Sequence, residues 1–402
     1  MDICERFFRY AAVDTQSDTQ AACVPSTAKQ FDLSALLAED LKEIGCQGVE
    51  VDEHAYVYGY LPATDGCGDL PSIGFIAHLD TSPDVTGANV RPRLIRDYDG
   101  EDIVLNSELG ITTRVEDFPA LKKYVGKDLI VTDGTTLLGA DDKGGIVAIM
   151  RALELLKGTR HGRVAVCFPP DEEIGHGASL LDLDKFACDF AYTVDGGELG
   201  ELSFETFNAA GALVEVRGLN IHTGTAKGIM KNASLIAMEF DSLLPQAERP
   251  QYTSGYEGFF HLCEMSGDES SARLEYLIRD HDRDVFARRK SDMRAAAEFL
   301  NRKYSQGTVT LTITDTYYNM REVLSDRMYI VDKAVDAMKK CGAEPYFIAT
   351  RGGTDGSALS FRGLPCPNIG IGGFNYHGIN ETVCVQSMET VARVLCAIAQ
   401  AE

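Results

Sequence analysis

The sequence predicts an α/β protein built on a mixed sheet, into which a ferredoxin-like α+β domain is inserted. Apolar runs typical of buried strands alternate with helical patterns in the first half of the chain and again near its end. Between these parts the pattern changes to strand–helix–strand–strand–helix–strand, the order of a ferredoxin-like unit. We therefore expect a discontinuous first domain, 1–207 and 318–402, and an inserted second domain, 208–317.

The elements of the first half can be assigned in chain order. Apolar residues recur at helical spacing over residues 26–44, and Gly45 follows where a helix would end. A hairpin is predicted at 48–61, and the almost wholly apolar run 73–77 predicts a strand that is buried on both faces. Residues 136–139 then lead through ADDKGG into a predicted helix at 146–156, followed by predicted strands at 164–168 and 190–194.

The inserted segment and the end of the chain follow the same kind of pattern. In the insert, strands are predicted at 211–216, near Phe259, near Ala272 and at 308–314, with helices at 229–244 and 282–303. After the insert, helices are predicted at 326–340 and 386–400, with strands at 346–349 and 368–371. The α/β alternation therefore resumes after residue 317.

Composition excludes several classes of partner. The chain has 61 acidic and 38 basic residues and a formal net charge of -23, so its surface should repel nucleic acid and anionic lipid headgroups. The N-terminal MDICERFFRYAAVD lacks the apolar core of a signal peptide, and no segment approaches the roughly 20 apolar residues of a membrane span. The eleven cysteines form no CxxC pair. We therefore expect a cytoplasmic protein with reduced thiols and neither nucleic-acid nor membrane partners.

Acidic and histidine residues follow the predicted apolar strands at several places. Ligands collect outside the carboxyl ends of strands in open α/β sheets, so we expect these side chains to converge. Imidazole nitrogens and carboxylate oxygens suit a pair of zinc, manganese or cobalt ions about 3.5 to 4 Å apart. The residues are His78 and Asp80 in IAHLD, Asp141 in LLGADDKGG, Glu172 and Glu173 in FPPDEE, Asp195 in YTVDGG, and His377 in NYHG.

Taken singly, each of these residues also has an ordinary structural explanation. A histidine at a strand end is often a turn residue, an acidic pair is often solvated, and an aspartate before a helix is often its N-cap, as Asp142 can be. Two spacings favour a site. Asp80 lies two residues after His78, on the same strand face, where it can accept the second ring N–H. In extended chain Glu172 and Glu173 would point opposite ways, one toward a metal and one toward a water.

Eight motifs in order resemble a known family along the whole chain, including the insert: IAHLDTSPD, GADDKGG, PDEEIGHG, VDGG, NIHTGTAKG, IRDHD, RGGTDGS and NYHGINE. They resemble the co-catalytic two-zinc metallopeptidases, which include tripeptide aminopeptidases, glutamate carboxypeptidases, aminoacylases and succinyl-diaminopimelate desuccinylase. The resemblance implies a zinc-peptidase catalytic domain of mixed-sheet α/β type. It also implies that the ferredoxin-like insert is a lid and dimerisation domain, so that the protein is a homodimer.

The resemblance also implies a role for each candidate residue. It assigns His78 and Asp195 to one metal, Glu173 and His377 to the other, and Asp141 to a bridging position between two Zn²⁺ ions, for which Mn²⁺ or Co²⁺ can substitute. Glu172 would be the general base, and Asp80 would orient His78. The substrate-binding residues implied are His222, Arg279, Arg351 and Asn375, with the two arginines suited to anchor a terminal carboxylate.

The resulting hypothesis is a hydrolase that releases the N-terminal residue from short peptides, preferentially tripeptides. Related dinuclear zinc amidohydrolases, namely dipeptidases, carboxypeptidases and aminoacylases, remain alternatives of the same class. A metal-dependent peptide-binding homologue without catalysis is an alternative of a different class, although such a protein would not need Glu172. The sequence contains no HExxH motif, GxSxG elbow or P-loop that would indicate another hydrolase type.

Overall fold

The computed structural model describes residues 1–401 and divides into two compact units. Unit 1 contains Met1–Phe204, Val323–Phe347 and the segment that begins at Thr354, while unit 2 contains Glu205–Glu322 and Ile348–Gly353. None of the helices within residues 1–401 is both long enough and apolar enough to span a membrane.

The helices and strands are numbered in chain order. The helices are α1 (Ile3–Ala11), α2 (Gln30–Ile44), α3 (Ala140–Leu156), α4 (Leu183–Phe186), α5 (Ala233–Leu243), α6 (Arg283–Tyr304), α7 (Arg321–Leu324), α8 (Tyr329–Lys340), α9 (Asp355–Phe361) and α10 (Val385–Ala399). The strands are β1 (Gln47–Val51), β2 (Val57–Leu61), β3 (Ile73–Ile76), β4 (Arg93–Ile95), β5 (Ile103–Asn106), β6 (Ile111–Thr113), β7 (Leu129–Val131), β8 (Val164–Phe168), β9 (Phe190–Val194), β10 (Glu201–Thr206), β11 (Asn208–Arg217), β12 (Phe259–Gly267), β13 (Ser271–Asp280), β14 (Val309–Tyr317), β15 (Tyr346–Thr350), β16 (Asn368–Ile369), β17 (Gly373–Phe374) and β18 (Thr382–Cys384).

The main sheet of unit 1 has eight strands in the order β1-β2-β8-β3-β9-β16-β10-β15. β3 runs parallel to both β8 and β9, whereas β1, β2 and β8 pair antiparallel, so the sheet is mixed, as predicted. All residues of β3, β8 and β9 are buried, which explains why each is an apolar run rather than an alternating one.

Helix α3 is the central helix of unit 1 and packs against α1 and α10. Its first turn lies close to the end of β9, because a Cβ at Gly145 would overlap the main-chain oxygen of Val194. Where α1 packs against α3, Nη2 of Arg6 on α1 lies 2.5 Å from Oε1 of Glu154 on α3. The helix therefore joins the N-terminal helix to the strand that carries Asp195.

Unit 2 is ferredoxin-like, as predicted. Its four antiparallel strands have the order β12-β13-β11-β14, and α5 and α6 pack on the sheet around an apolar core. The first and last strands of this sheet in chain order, β11 and β14, are neighbours that pair Ala209 with Tyr317. The side chains of Asn232 and Asp282 accept main-chain N–H groups at the starts of α5 and α6.

Several elements differ from the predictions or were not predicted. α5 begins at Ala233 rather than at 229, because Asn232 caps it, and α2 begins at Gln30 rather than at 26. Helix α1, the sheet β17-β18-β7-β4 and the hairpin β5-β6 had no counterpart in the predictions. Strands of two to four residues are too short to show a period in the sequence.

Candidate metal centre

The candidate ligands meet at one edge of the main sheet of unit 1. Ile76 at the end of β3 is in register with Cys167 of β8 and with Thr193 of β9, so the three parallel strands end side by side. His78 follows β3, Glu172 and Glu173 follow β8, and Asp195 directly follows β9. The convergence expected at the carboxyl ends of these strands is therefore present.

One group of possible ligands consists of His78, Asp141 and Asp195. Nε2 of His78 lies 3.0 Å from Oδ1 of Asp141 and 3.8 Å from Oδ1 of Asp195. His78 is buried, and Asp141 and Asp195 are half-buried. Asp141 reaches this position from the first turn of α3, where its backbone and that of Asp142 are not helical.

A second group consists of Asp141, Glu173 and His377. Nε2 of His377 lies 2.9 Å from Oε2 of Glu173 and 3.4 Å from Oδ2 of Asp141. The two oxygens of Asp141 thus face the two groups separately. Oε1 of Glu173 is buried and has no hydrogen-bond partner within residues 1–401. This nitrogen and oxygen donor set, with one shared carboxylate and one unsatisfied oxygen, fits two divalent cations.

The charges of the centre perturb the pKa values of its members. Burial, followed by the neighbouring carboxylates, raises the pKa of Asp195 well above its ordinary value. Burial acts in the same direction on Asp141, but hydrogen bonds with His377 and His78 outweigh it and lower the pKa of this carboxyl. Hydrogen bonds with Asp141 and Glu173 raise the pKa of His377 to about 11. The acidic groups thus bind positive charge strongly, as a cation site requires.

Asp80 is fully buried and connects two parts of the centre. Its Oδ1 lies 3.3 Å from Nδ1 of His78, and the same nitrogen lies 3.0 Å from the main-chain oxygen of Asp80. Its carboxylate also accepts the main-chain N–H groups of Glu172 and Glu173, at 2.9 and 3.3 Å. Asp80 is therefore placed to orient the His78 ring and the turn that carries the two glutamates.

The expectation that Glu172 and Glu173 lie in extended chain is wrong. Both belong to a short 3-10 turn, Glu172–Ile174, which begins after Asp171 in a left-handed conformation with φ of 57°. The carboxylate of Asp171 accepts hydrogen bonds from Ser26 and Gln30, which hold this conformation. The side chains of the two glutamates are therefore separated by the turn and not by strand alternation.

Glu172 donates its main-chain N–H to Asp80, and its partly buried side chain belongs to neither of the two ligand groups. Burial, and then the nearby Asp195 carboxylate, raise the pKa of Glu172 well above its ordinary value. A carboxylate with a raised pKa next to a cation site has the properties required of a general base.

Of the predicted substrate residues, Asn375 lies in unit 1 and the other three lie in unit 2. Asn375 precedes His377 in the loop between β17 and β18 and has φ of 61°. His222 lies in unit 2, where it is exposed and its Nδ1 accepts the N–H of Gly224. The two arginines also lie in unit 2.

The two arginines of unit 2 differ in their partners. The Nη1 of Arg279 on β13 donates to the main-chain oxygens of Ala210 and Ile278, and its guanidinium lies 5.5 Å from the Tyr317 ring centre. Within residues 1–401 it forms no ion pair. Arg351 donates to oxygens of three residues in a neighbouring loop: Thr253, Gly255 and Glu257.

Two further carboxylates hold the chain segments that carry the ligands. Asp142 accepts the main-chain N–H of His78 at 3.1 Å and that of Gly145 at 3.2 Å, so it also caps the regular part of α3, the role expected for it. Glu381, which sequence reasoning missed, accepts the main-chain N–H of Asp141 at 3.0 Å. It lies within the quoted NYHGINE motif, but no local pattern indicates this contact.

Comparison with known proteins supports one family. The model of peptidase family M20/M25/M40 matches residues 133–401. Proteins named peptidase T from Alkaliphilus oremlandii and Geobacillus kaustophilus are each 51% identical to the chain, over 99% of it and over 98% and 97% of their own lengths.

Solved structures share the fold. The crystal structure of aminopeptidase PepT from Bacillus cereus has a TM-score of 0.78 at 22% identity, covering 99% of this chain and 97% of that one. A Bacillus subtilis protein described as a dinuclear metal binding peptidase from the M20 family has a TM-score of 0.66 at 13% identity, covering 98% and 97%. With its full-length peptidase T relatives and its matching family model, the chain belongs to peptidase family M20/M25/M40.

Proposed function

We propose that this chain is a metallo-aminopeptidase that releases the N-terminal residue from short peptides and prefers tripeptides. The observation that carries the proposal is the pair of ligand groups joined by Asp141, with Glu172 beside them. The full-length relatives at 51% identity, which are named peptidase T, support the same activity.

The residues proposed to hold the cations are those of the two groups. His78 and Asp195 would bind one, Glu173 and His377 the other, and Asp141 would contribute one oxygen to each. Two divalent cations held here supply positive charge that polarises the scissile carbonyl and makes a water molecule more acidic. Zinc is the proposed metal, and Mn²⁺ or Co²⁺ can substitute for it, because imidazole nitrogen and carboxylate oxygen donors suit all three ions.

Glu172 is proposed to accept the proton of the attacking water and to donate it to the leaving amine. Its raised pKa increases the affinity of this carboxylate for the proton of the water, which the first step requires. Asp80 would keep Glu172 in position for proton transfer, because its carboxylate contacts both the main-chain N–H of Glu172 and the ring of His78. Glu172 and His78 are therefore both held by the buried carboxylate of Asp80.

Unit 2 is proposed to recognise the other end of the peptide. We assign residues 208–317 to a lid and dimerisation domain, and 1–207 with 318–402 to the catalytic domain of a cytoplasmic homodimer. Arg279 has no carboxylate partner within residues 1–401, so its charge is available for the terminal carboxylate of a substrate. Arg351 would take part while it also holds the loop at 253–257, and His222 and Asn375 are proposed to contact the substrate.

The activity is tested with free and N-acetylated di-, tri- and tetrapeptides, together with metal analysis. We expect release of the first residue from free peptides, fastest from tripeptides, and two metal ions per chain. Preference for acetylated substrates would favour the aminoacylase alternative, and absence of turnover in a chain that holds two ions would favour the non-catalytic alternative.

The carboxylate anchor is tested by Arg279→Ala, with Arg273→Ala as a control on the same strand. We expect Arg279→Ala to raise the KM for tripeptides at least about tenfold, and to have little effect on C-terminally amidated tripeptides. Arg273 lies near Glu275 on the exposed part of β13, and its removal should leave both KM values unchanged. An equal loss for free and amidated peptides would remove Arg279 from carboxylate recognition.

A further inference from the structure

Glu381 is a buried carboxylate with an unusual set of partners. It is 1% exposed and accepts the main-chain N–H groups of Leu138 and Gly139 at Oε2, both at 2.8 Å, and that of Asp141 at Oε1, at 3.0 Å. Within residues 1–401 no lysine, arginine or histidine lies within ion-pair distance of it. Three main-chain donors therefore stabilise a charge that burial alone would strongly disfavour.

These bonds link two segments that carry candidate ligands. Asp141 lies in the first turn of α3, and Glu381 ends the loop that contains His377, four positions earlier. The N–H of Glu381 donates to the main-chain oxygen of Gly378, which closes the end of this loop. The distance between the His377 ring and the Asp141 carboxylate thus depends on a direct side-chain-to-main-chain connection between the two segments.

The geometry also limits how Asp141 can rotate. Its Oδ1 lies 3.0 Å from His78 and its Oδ2 lies 3.4 Å from His377, so a small tilt of its peptide moves one oxygen away from its group. Oε1 of Glu381 accepts the main-chain N–H of Asp141 and so restrains this peptide. Oε2 accepts the N–H groups of Leu138 and Gly139 in the preceding turn.

We propose that Glu381 is a positioning residue that holds the Asp141 carboxylate between the two ligand groups. A second cation then binds tightly, in addition to the first, only when Glu381 is present. The inference rests on the proposed two-cation site and extends it to a residue that touches neither cation. Glu381 acts through the main chain of Asp141 and through the loop of His377.

The variant Glu381→Gln tests this with almost unchanged shape. One of its terminal atoms becomes an NH₂ donor, which cannot accept from an N–H, so either the Asp141 bond or the Leu138 and Gly139 bonds are lost. Glu381→Asp keeps the charge but is one methylene shorter and reaches fewer of the three donors. Asp40→Asn is the control, because Asp40 is also buried in unit 1 but accepts from Arg9 and Tyr10 on α1.

The measurement is a titration of metal-free protein with Zn²⁺ against a chelating indicator, and with Co²⁺ followed by visible absorption, below the Tm of every variant. We expect two sites in the unaltered chain and in Asp40→Asn. In Glu381→Gln the weaker site should lose about 10- to 100-fold in affinity and show an altered Co²⁺ spectrum, with a smaller loss in Glu381→Asp.

Two negative outcomes can be told apart. Two equally tight sites in the unaltered chain and in both Glu381 variants would overturn the positioning role and leave the proposed function intact. Fewer than two sites in the unaltered chain would overturn the two-cation site itself and, with it, the role of Glu381.

Discussion

Oε2 of Glu173 lies 2.9 Å from Nε2 of His377. Glu173 follows β8, whereas His377 lies in the loop between β17 and β18 near the end of the chain. The contact joins the main sheet of unit 1 to its smaller four-stranded sheet. The second ligand group thus depends on two sheets, whereas His78 and Asp195 of the first group follow neighbouring strands of one sheet.

Removal of His377 should therefore empty one site selectively. We expect His377→Ala to bind one metal ion per chain instead of two, because Glu173 and Asp141 alone provide too few donors, while His78, Asp141 and Asp195 remain together. Elemental analysis after dialysis measures this. His261→Ala, which removes an exposed histidine of unit 2, is the control, and an unchanged metal content in His377→Ala would show that His377 is not a ligand.

Glu172 and Glu173 are neighbours with different predicted roles. We expect Glu172→Ala to retain about two metal ions per chain while kcat falls at least about 100-fold, since only proton transfer is lost. Glu173→Ala should lose metal as well as activity, because Glu173 belongs to a ligand group. Metal content and kcat measured on both variants separate the roles, and substantial turnover in Glu172→Ala would exclude it as the base.

Two adjacent glycines at the start of α3 should respond differently to a methyl group. A Cβ at Gly145 would overlap the main-chain oxygen of Val194 and the carboxylate of Asp142, whereas a Cβ at Gly144 would lie 3.0 Å from a side-chain carbon of Ile371, which can move. We expect Gly145→Ala to cost about 1 to 3 kcal/mol of unfolding free energy and Gly144→Ala less. Urea unfolding of the two variants tests this, and equal costs would contradict the close packing of α3 against β9.

The Arg6–Glu154 contact should make stability depend on pH. Burial raises the pKa of Glu154, but the hydrogen bond and the charge of Arg6, together with the hydrogen bond from Arg151, outweigh it and hold the pKa below its ordinary value of 4.5. The Glu154 carboxylate therefore binds a proton more readily in the unfolded chain than in the folded chain. The pair therefore stabilises the fold fully above about pH 4.5, and this contribution is lost as the pH falls through the lower pKa of the folded state.

We expect Glu154→Gln to lower the unfolding free energy by about 3 kcal/mol at pH 7, because Arg6 is 4% exposed and its Nε and Nη1 have no hydrogen-bond partner within residues 1–401. The difference from the unaltered chain should shrink below pH 4.5. Unfolding with a chelator present at every pH measures it. Glu298→Gln, in an exposed pair with Arg302, should have almost no effect, and a pH-independent loss in Glu154→Gln would contradict the explanation.

The predictable part of the fold consists of elements with a long or strongly apolar pattern. Such patterns predict helices α2, α3, α6 and α10, the buried strands β3, β8 and β9, and the ferredoxin-like order of unit 2. The sheet β17-β18-β7-β4 could not be predicted, because strands of two or three residues have no period and pair only through tertiary contacts.

For the candidate site, the sequence indicates which residues follow strands but not how each side chain is held. The groups around His78 and His377 contain all five residues nominated as ligands. Glu381 could not be nominated, because its partners are main-chain N–H groups that any residue offers. The turn at Glu172 was missed because Asp171 adopts a left-handed conformation that its contacts with Ser26 and Gln30 stabilise.

The adjacency of β11 and β14 has a consequence for how the chain is assembled. Since Ala209 and Tyr317 pair directly, the two ends of the inserted domain lie side by side. A host chain therefore needs only a narrow gap to accept such a domain, with little cost in loop closure. The strands on either side of the insert would therefore not need rerouting if a whole insert were exchanged between related hosts.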